Sequence, residues 1–188
     1  MKTVLHDSDI RDDLCDYLEQ KYGQVRFFDE LVIGKSRADI VMVTRDAIIG
    51  VEIKSDADTY TRLKGQIPDY DRYFDKNILA VGSTHAMHAP EHIPDHWGLI
   101  SVEETGDGLD FYEVREPGAS KAKIRKQLDL LWRRELYQLQ GMNGLHKYSN
   151  KRRAFVEKYV VESVDESLLK QQIRDILFER DYSIFDDQ

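Results

Sequence analysis

The sequence predicts an α/β fold, a mixed central β-sheet flanked by helices, with a helical C-terminal extension. Three observations lead there. Short apolar runs with strand character alternate with helix-period segments through the first 116 residues. Two of these runs, "ADIVMV" and "AIIGVEIK", are joined by a short turn at Arg45–Asp46, which predicts an antiparallel hairpin. Beyond residue 118 the strand pattern stops and helix periodicity takes over. The expected division is therefore an α/β core over 1–118 and a helical extension over 119–188 packed on it.

Each element has its own signal. "DSDIRDDLCDYLEQKYG" predicts a first helix, with Asp7 or Ser8 as N-cap and Gly23 as its stop. Ile10, Leu14, Tyr17 and Leu18 fall on one face. "VRFFDELVIG" reads as a strand ended by Gly34, and the hairpin follows. "ADTYTRLKGQIPDYDRYF" reads as a helix interrupted or kinked at Pro68. "NILAVG", "WGLISVE" and "DFYEVRE" are further strands, the first two joined by an irregular or short helical crossover. "SKAKIRKQLDLLWRRELYQLQ" predicts one long helix with an apolar stripe of Ile124, Leu128, Leu131, Trp132 and Leu139. After the loop "GMNGLHKYSN", two helices close the chain over "KRRAFVEKYVVE" and "DESLLKQQIRDILFER".

Composition narrows the functional classes. A chain of 188 residues can bury a core without a disulfide or metal staple. Its one cysteine, Cys15, cannot form an internal disulfide, which fits a reducing cytosol. The N-terminus is acidic where a secretory signal needs an apolar segment, and no apolar run approaches the ~20 residues of a membrane helix. The expectation is a cytoplasmic protein without a membrane partner. The net charge of −8 is unevenly spread: −11 over 1–116, +8 over 117–158 and −5 over 159–188. The acidic total argues against indiscriminate polyanion binding, while the basic segment permits a directed phosphate contact or a solvated helix face. Arg133, Arg134, Lys151, Arg152 and Arg153 are the candidate nucleic-acid contacts.

The two hairpin strands carry charges where buried strands should be bland. Glu52 and Lys54 are two residues apart and point to the same face, while Val51 and Ile53 point to the other. Asp39 starts the preceding strand, and a hairpin of this length can bring it near Glu52. Two adjacent carboxylates repel unless a cation lies between them. Hard oxygen ligands at a sheet end suit Mg²⁺, and a lysine beside such an ion can orient or deprotonate an attacking water.

"RAD" followed after a 13-residue step by "VEIK" resembles the motif of the PD-(D/E)XK nuclease superfamily, the restriction-endonuclease-like fold. Ala38 stands where that motif has proline. Downstream, "QIPDY" supplies Gln66 and Tyr70, similar to the Gln-x-x-x-Tyr element of the exonuclease-like branch. "ELVIGKSRADIVMV", "GVEIKSDADTYTRLKGQIPDYDRYFD", "IPDHWGLISV" and "LLWRREL" together resemble a small bacterial and phage family of nuclease-like proteins, over roughly residues 8–140. The resemblance implies a nuclease acting on DNA with Mg²⁺ or Mn²⁺. Asp39, Glu52 and the Ile53 carbonyl would hold the metal and Lys54 would serve the water. Glu30 is the candidate upstream acid, and Gln66 and Tyr70 complete the catalytic set. Many proteins of this fold dimerise, so a homodimer is open. The alternative is a module that kept the fold, lost the chemistry and binds DNA or a protein.

A second constellation is weaker. His85, His88, His92 and His96 have spacings that would make a metal-binding stripe on one helix, but Pro90 and Pro94 break that helix. A surface connection between strands is the expectation there. Cys15 is expected near the core face of the first helix, with no base beside it.

Overall fold

The computed structural model describes residues 6–56, 58–106 and 108–182. The chain divides into two compact units, Met1–Ala122 and Lys123–Gln188. The first contains α1 (Asp7–Tyr22), β1 (Arg26–Ile33), β2 (Ser36–Val43), β3 (Ile48–Lys54), α2 (Leu63–Tyr73), β4 (Lys76–Gly82), α3 (Ser83–Ala86), a 3₁₀ turn, β5 (Gly98–Thr105) and β6 (Gly108–Arg115). The six strands form one sheet in sequence order. The β3–β4 and β4–β5 pairs are parallel and the other three antiparallel. This is the mixed sheet flanked by helices that the alternating pattern predicts.

Strand alternation sorts the sheet into two buried faces. Ile40, Met42, Ile49, Val51, Ile53, Ile78 and Ala80 point to one side and pack against Ile10, Leu14 and Leu18 of α1. Burying an aliphatic side chain of this size contributes about 1.5–3 kcal/mol, so this layer anchors the unit. The other face carries Glu52 and Lys54 and receives α2. Gly50 decides how closely α2 approaches: a Cβ there would lie 2.2 Å from the Phe74 ring and 2.8 Å from that of Tyr70. With no side chain in the way, Tyr70 and Phe74 lie directly on β3.

Helix α2 starts at Leu63, later than its sequence signal, because the Asp58 carboxylate accepts from the Ser55 N–H at 2.9 Å and hydroxyl at 2.7 Å and holds the chain in a turn. It runs through Pro68 to Tyr73. Asp69 ties it to the β1–β2 turn, accepting from the Lys35 N–H and the Ser36 hydroxyl. Gly34 supplies the positive φ of +63° that this turn requires. Asp71, two residues on, accepts from Asn77, the Trp97 indole, His96 and Ser120.

The second unit holds α4 (Ile124–Leu128), α5 (Arg133–Met142), α6 (Arg153–Ser163) and α7 (Glu166–Phe178). The single long helix expected over 120–140 is thus two helices. Trp132 is extended at φ −72°, ψ 161°, and its N–H donates to the Glu135 carboxylate at 2.6 Å, starting a new helix. The Leu130 carbonyl in the break accepts from the Arg180 guanidinium at 2.7 Å. Leu128, Leu130, Leu131, Leu136 and Leu139 are all buried, so apolar periodicity alone runs across the break. The first helix of the chain is capped by His6, one residue ahead of the expected position. Among the described residues no helix is long and apolar enough to cross a membrane.

Candidate active site

The β2–β3 ladder pairs Ile40 with Val51, and one step further along the same register brings Asp39 opposite Glu52. Asp39 reaches across to the end of β3, where its Oδ2 accepts from the Ile53 N–H at 2.8 Å. Its Oδ1 has no hydrogen-bond partner among the described residues. Burial, and next the neighbouring charge of Glu52, push the Asp39 carboxyl up to about 7, against the pull of the Ile53 N–H and of Lys54.

Glu52 is 1% exposed and Lys54 6%. Glu52 Oε1 accepts from the Lys54 ammonium and from Gln66 Nε2, the latter at 2.7 Å. Its Oε2 accepts from the Tyr70 hydroxyl at 2.5 Å. Gln66 and Tyr70 stand one helical turn apart on α2, which is why both reach the same carboxylate. The Tyr70 hydroxyl also accepts from the Asp39 N–H at 3.3 Å, so one side chain braces both strands. Burial first, then the charges of Glu52 and Asp39, raise the Tyr70 phenol well above its ordinary value, so it stays a donor. Lys54 Nζ also donates to the Ile53 carbonyl at 3.3 Å. Gln66 Oε1 is buried without a hydrogen-bond partner among the described residues.

Asp39, Glu52, Ile53, Lys54 and Gln66 line a cleft of about 670 Å³ that also contains the exposed Lys35, Arg37 and Arg62, with Tyr70 buried behind it. Glu30 lines the cleft too, and two arginines hold its carboxylate. Its Oε1 accepts from Arg11 at 3.0 Å and its Oε2 from Arg37 at 2.5 Å. Glu30 is the one non-glycine among the described residues with positive φ, at +54°. Such a backbone costs on the order of 1–3 kcal/mol and persists where surrounding contacts impose it.

Arg11 is the residue beside the candidate site that sequence reasoning missed. It donates to Asp7, Asp29, Glu30 and, at 2.5 Å, the Asp39 carbonyl. Only its i,i+4 relation to Asp7 is visible in the sequence; the other partners lie 18 to 28 residues away.

The histidines do not converge. His92 stacks on Tyr60 at 4.1 Å, His85 meets the same ring edge-on at 5.3 Å, His88 pairs with Glu91, and His96 bonds Asp71. Cys15 is half-buried on α1, and burial pushes its thiol up to about 11. In the second unit, Arg133 donates to the Tyr148 and Lys151 carbonyls, Arg134 to the Asp181 carbonyl and Arg153 to the Leu128 carbonyl. Lys151 and Arg152 are exposed.

Among the described residues no group of three or more His, Cys, Asp or Glu side chains is placed to hold a metal ion. The donor set at the C-terminal end of β3 is two carboxylates and a backbone carbonyl. Such a set fits a hard divalent ion that keeps several waters. Burial first and the charge of Glu52 second raise the Asp39 carboxyl, and a cation between the two carboxylates would offset both.

The family model described as bacteriophage P4 protein cII matches residues 1–187. The chain belongs to the bacteriophage P4 cII family. No curated protein matches the sequence. Among solved structures, Pyrococcus furiosus SfsA in complex with Ca²⁺ is similar at a TM-score of 0.35 and 13% identity, over 61% of this chain and 62% of that one. The match spans less than two thirds of that chain, and a likeness this slight carries no functional implication.

Proposed function

We propose that this P4 cII family member is a metal-dependent nuclease that hydrolyses phosphodiester bonds in DNA. The observation that supports it best is the convergence of Asp39, Glu52 and Lys54 at the C-terminal end of β3, in a cleft that also presents three exposed cations. Asp39, Glu52 and the Ile53 carbonyl would hold Mg²⁺ or Mn²⁺. Such an ion supplies Lewis acidity toward a phosphoryl oxygen and toward water. Lys54 stands beside the carboxylates, where its side chain can orient water and offset charge gathering on the phosphate. Gln66 and Tyr70 fix the Glu52 carboxylate so that it needs no reorganisation during the reaction. Lys35, Arg37 and Arg62 are suited to the substrate backbone. A nuclease with a free, unreactive thiol fits the reducing cytoplasm.

One observation favours the second reading, a catalytically inactive module that binds DNA or a protein partner. Both Glu52 oxygens already accept hydrogen bonds, and Lys54 neutralises the carboxylate without a metal. Incubation with labelled linear, circular, single-stranded and branched DNA in Mg²⁺ and Mn²⁺ separates the two. The nuclease cleaves at least one of them, and Asp39→Ala lowers the rate at least about a hundredfold. Absence of cleavage, together with no Asp39-dependent Mn²⁺ binding by calorimetry, establishes the inert module. Cleavage undiminished by Asp39→Ala removes the site.

A further inference from the structure

From Leu136 to Val156 the chain contains no acidic residue, yet it carries Lys147, Lys151, Arg152 and Arg153. The structure makes this stretch a fixed ledge. Arg133 donates to the carbonyls of Tyr148 at 2.9 Å and Lys151 at 2.7 Å, the Tyr137 hydroxyl to that of Ser149, and Gln140 to that of His146. Three side chains of α5 thus hold four carbonyls of one loop. Arg133 and Arg153 are engaged in this framework, the latter through Leu128 and Glu157. Lys147, Lys151 and Arg152 are exposed and have no ion-pair partner among the described residues.

Aromatic rings lie between these cations. His146, Phe155 and Tyr159 meet Tyr148 edge-on at 4.6, 5.1 and 5.1 Å. Lys151 lies 5.5 Å from the Phe155 ring centre and Lys147 4.6 Å from that of Tyr137. Phe155 is 44% exposed on the first turn of α6. A solvated helix face accounts for the lysines but not for a phenyl ring held in water among them.

We infer that the 146–155 ledge binds single-stranded nucleic acid, with unpaired bases stacking on Phe155 and His146 and phosphates meeting Lys147, Lys151 and Arg152. A duplex keeps its base faces stacked inside and cannot use an exposed ring, whereas an unpaired base has a free π-face. The held loop lowers the entropy that ordering would otherwise cost on binding. The ledge belongs to the second unit and needs no chemistry in the cleft.

The test is fluorescence anisotropy of the full chain in EDTA, with labelled oligothymidylate, oligouridylate, an abasic deoxyoligomer of equal length and a duplex. The expected result is binding of the base-bearing single strands at least about tenfold tighter than the abasic strand or the duplex. Phe155→Leu, which keeps an apolar side chain, lowers oligothymidylate affinity toward the abasic level, Phe155→Leu with His146→Ala brings it to that level, and abasic binding is unchanged in both. Lys151→Gln with Arg152→Gln weakens every single strand and lowers the salt slope by about 0.7 for each lost contact. The two sugars distinguish DNA from RNA as the source of the bases. Equal affinity for abasic and base-bearing strands, tighter binding of duplex, or preference for polyglutamate overturns the inference. The abasic comparison on the wild-type chain decides even if Phe155→Leu proves unfolded by its thermal melt. A chain that binds but never cleaves in Mn²⁺ counts against the cleft alone, and one that cleaves without discriminating the abasic strand counts against the ledge alone.

Discussion

Each unit buries one cation against one carboxylate, and the two pairs are built to different ends. In the second unit, Arg180 meets Glu135 through two parallel bonds at 2.8 and 2.7 Å, donates to the Leu130 carbonyl and lies 4.2 Å over the Trp132 ring. Both side chains are at most 5% exposed. A planar fork on a carboxylate fixes geometry as well as charge. In the first unit, Lys54 meets Glu52 through a single ammonium, and a second carboxylate, Asp39, stands beside the pair with an oxygen facing the cleft. Arg180 therefore balances the charge within its unit, while Lys54 leaves one carboxylate in excess. A uniformly satisfied pair serves packing, and an unbalanced one is where a site is expected.

The largest effect should come from opening the satisfied pair. Arg180→Ala strands a buried carboxylate and the Leu130 carbonyl, so the loss should be about 3–5 kcal/mol in denaturant unfolding. Glu52→Gln loses the charge pair with the buried Lys54 and one acceptor oxygen but also removes the repulsion with Asp39, so its cost should be clearly smaller than that of Arg180→Ala. Equal losses in the two variants would erase the distinction. Activity should invert the order. Asp39→Ala, Glu52→Gln and Lys54→Ala should each lower cleavage by roughly 10²–10³. Arg180→Ala, assayed where it remains folded, should keep its turnover.

The same contrast governs what was legible in the sequence. Strand alternation puts Glu52 and Lys54 on one face and the hairpin brings Asp39 near them, while Gln66 and Tyr70 enter through the resemblance to the nuclease motif, helix period explaining only why those two share a face. Alternation and helix period are both local rules. The break between α4 and α5 could not be read, because Leu128, Leu131 and Leu136 satisfy one helical stripe across it while Arg180, 45 residues beyond Glu135, stabilises it. Arg11 was hidden for the same reason. Glu30 is a candidate through the upstream acid that the resemblance implies, but its left-handed backbone and its two arginines depend on contacts no periodicity encodes.

A smaller effect is expected from the Asp39 carboxyl. Its folded value of about 7 lies above its ordinary value of 3.8, so between these limits the native state holds a proton that the unfolded chain has released. Stability of the metal-free protein should therefore fall as pH rises from about 4 to 7, by at most about 1.4 kcal/mol per unit. Asp39→Asn should flatten that slope. Stabilisation by Mn²⁺ should grow over the same window, because binding must displace the proton. Thermal melts at several pH values, with and without Mn²⁺, would show it. A slope that persists in Asp39→Asn would assign the proton elsewhere.

The smallest effect expected is at Glu30, and it tests which side of the comparison that residue belongs to. Its pairs with Arg11 and Arg37 are partly exposed and should contribute only ~0–1 kcal/mol each. Its positive φ opposes them, since a side chain in that region costs about 1–2 kcal/mol that glycine does not. Glu30→Gly should thus change stability by less than about 1 kcal/mol, strain relief offsetting the lost pairs. Cleavage should nevertheless fall severalfold, because Arg11 then loses one of the groups that aim it at the Asp39 carbonyl, and Arg37 is released from its place in the cleft. Glu30→Gln, which keeps an acceptor but not the charge, should fall between. Mn²⁺ affinity should survive both changes if Glu30 positions its neighbours. A loss of Mn²⁺ binding as complete as in Asp39→Ala would make Glu30 a ligand, and would mean that the arginines holding it here give way when the ion binds.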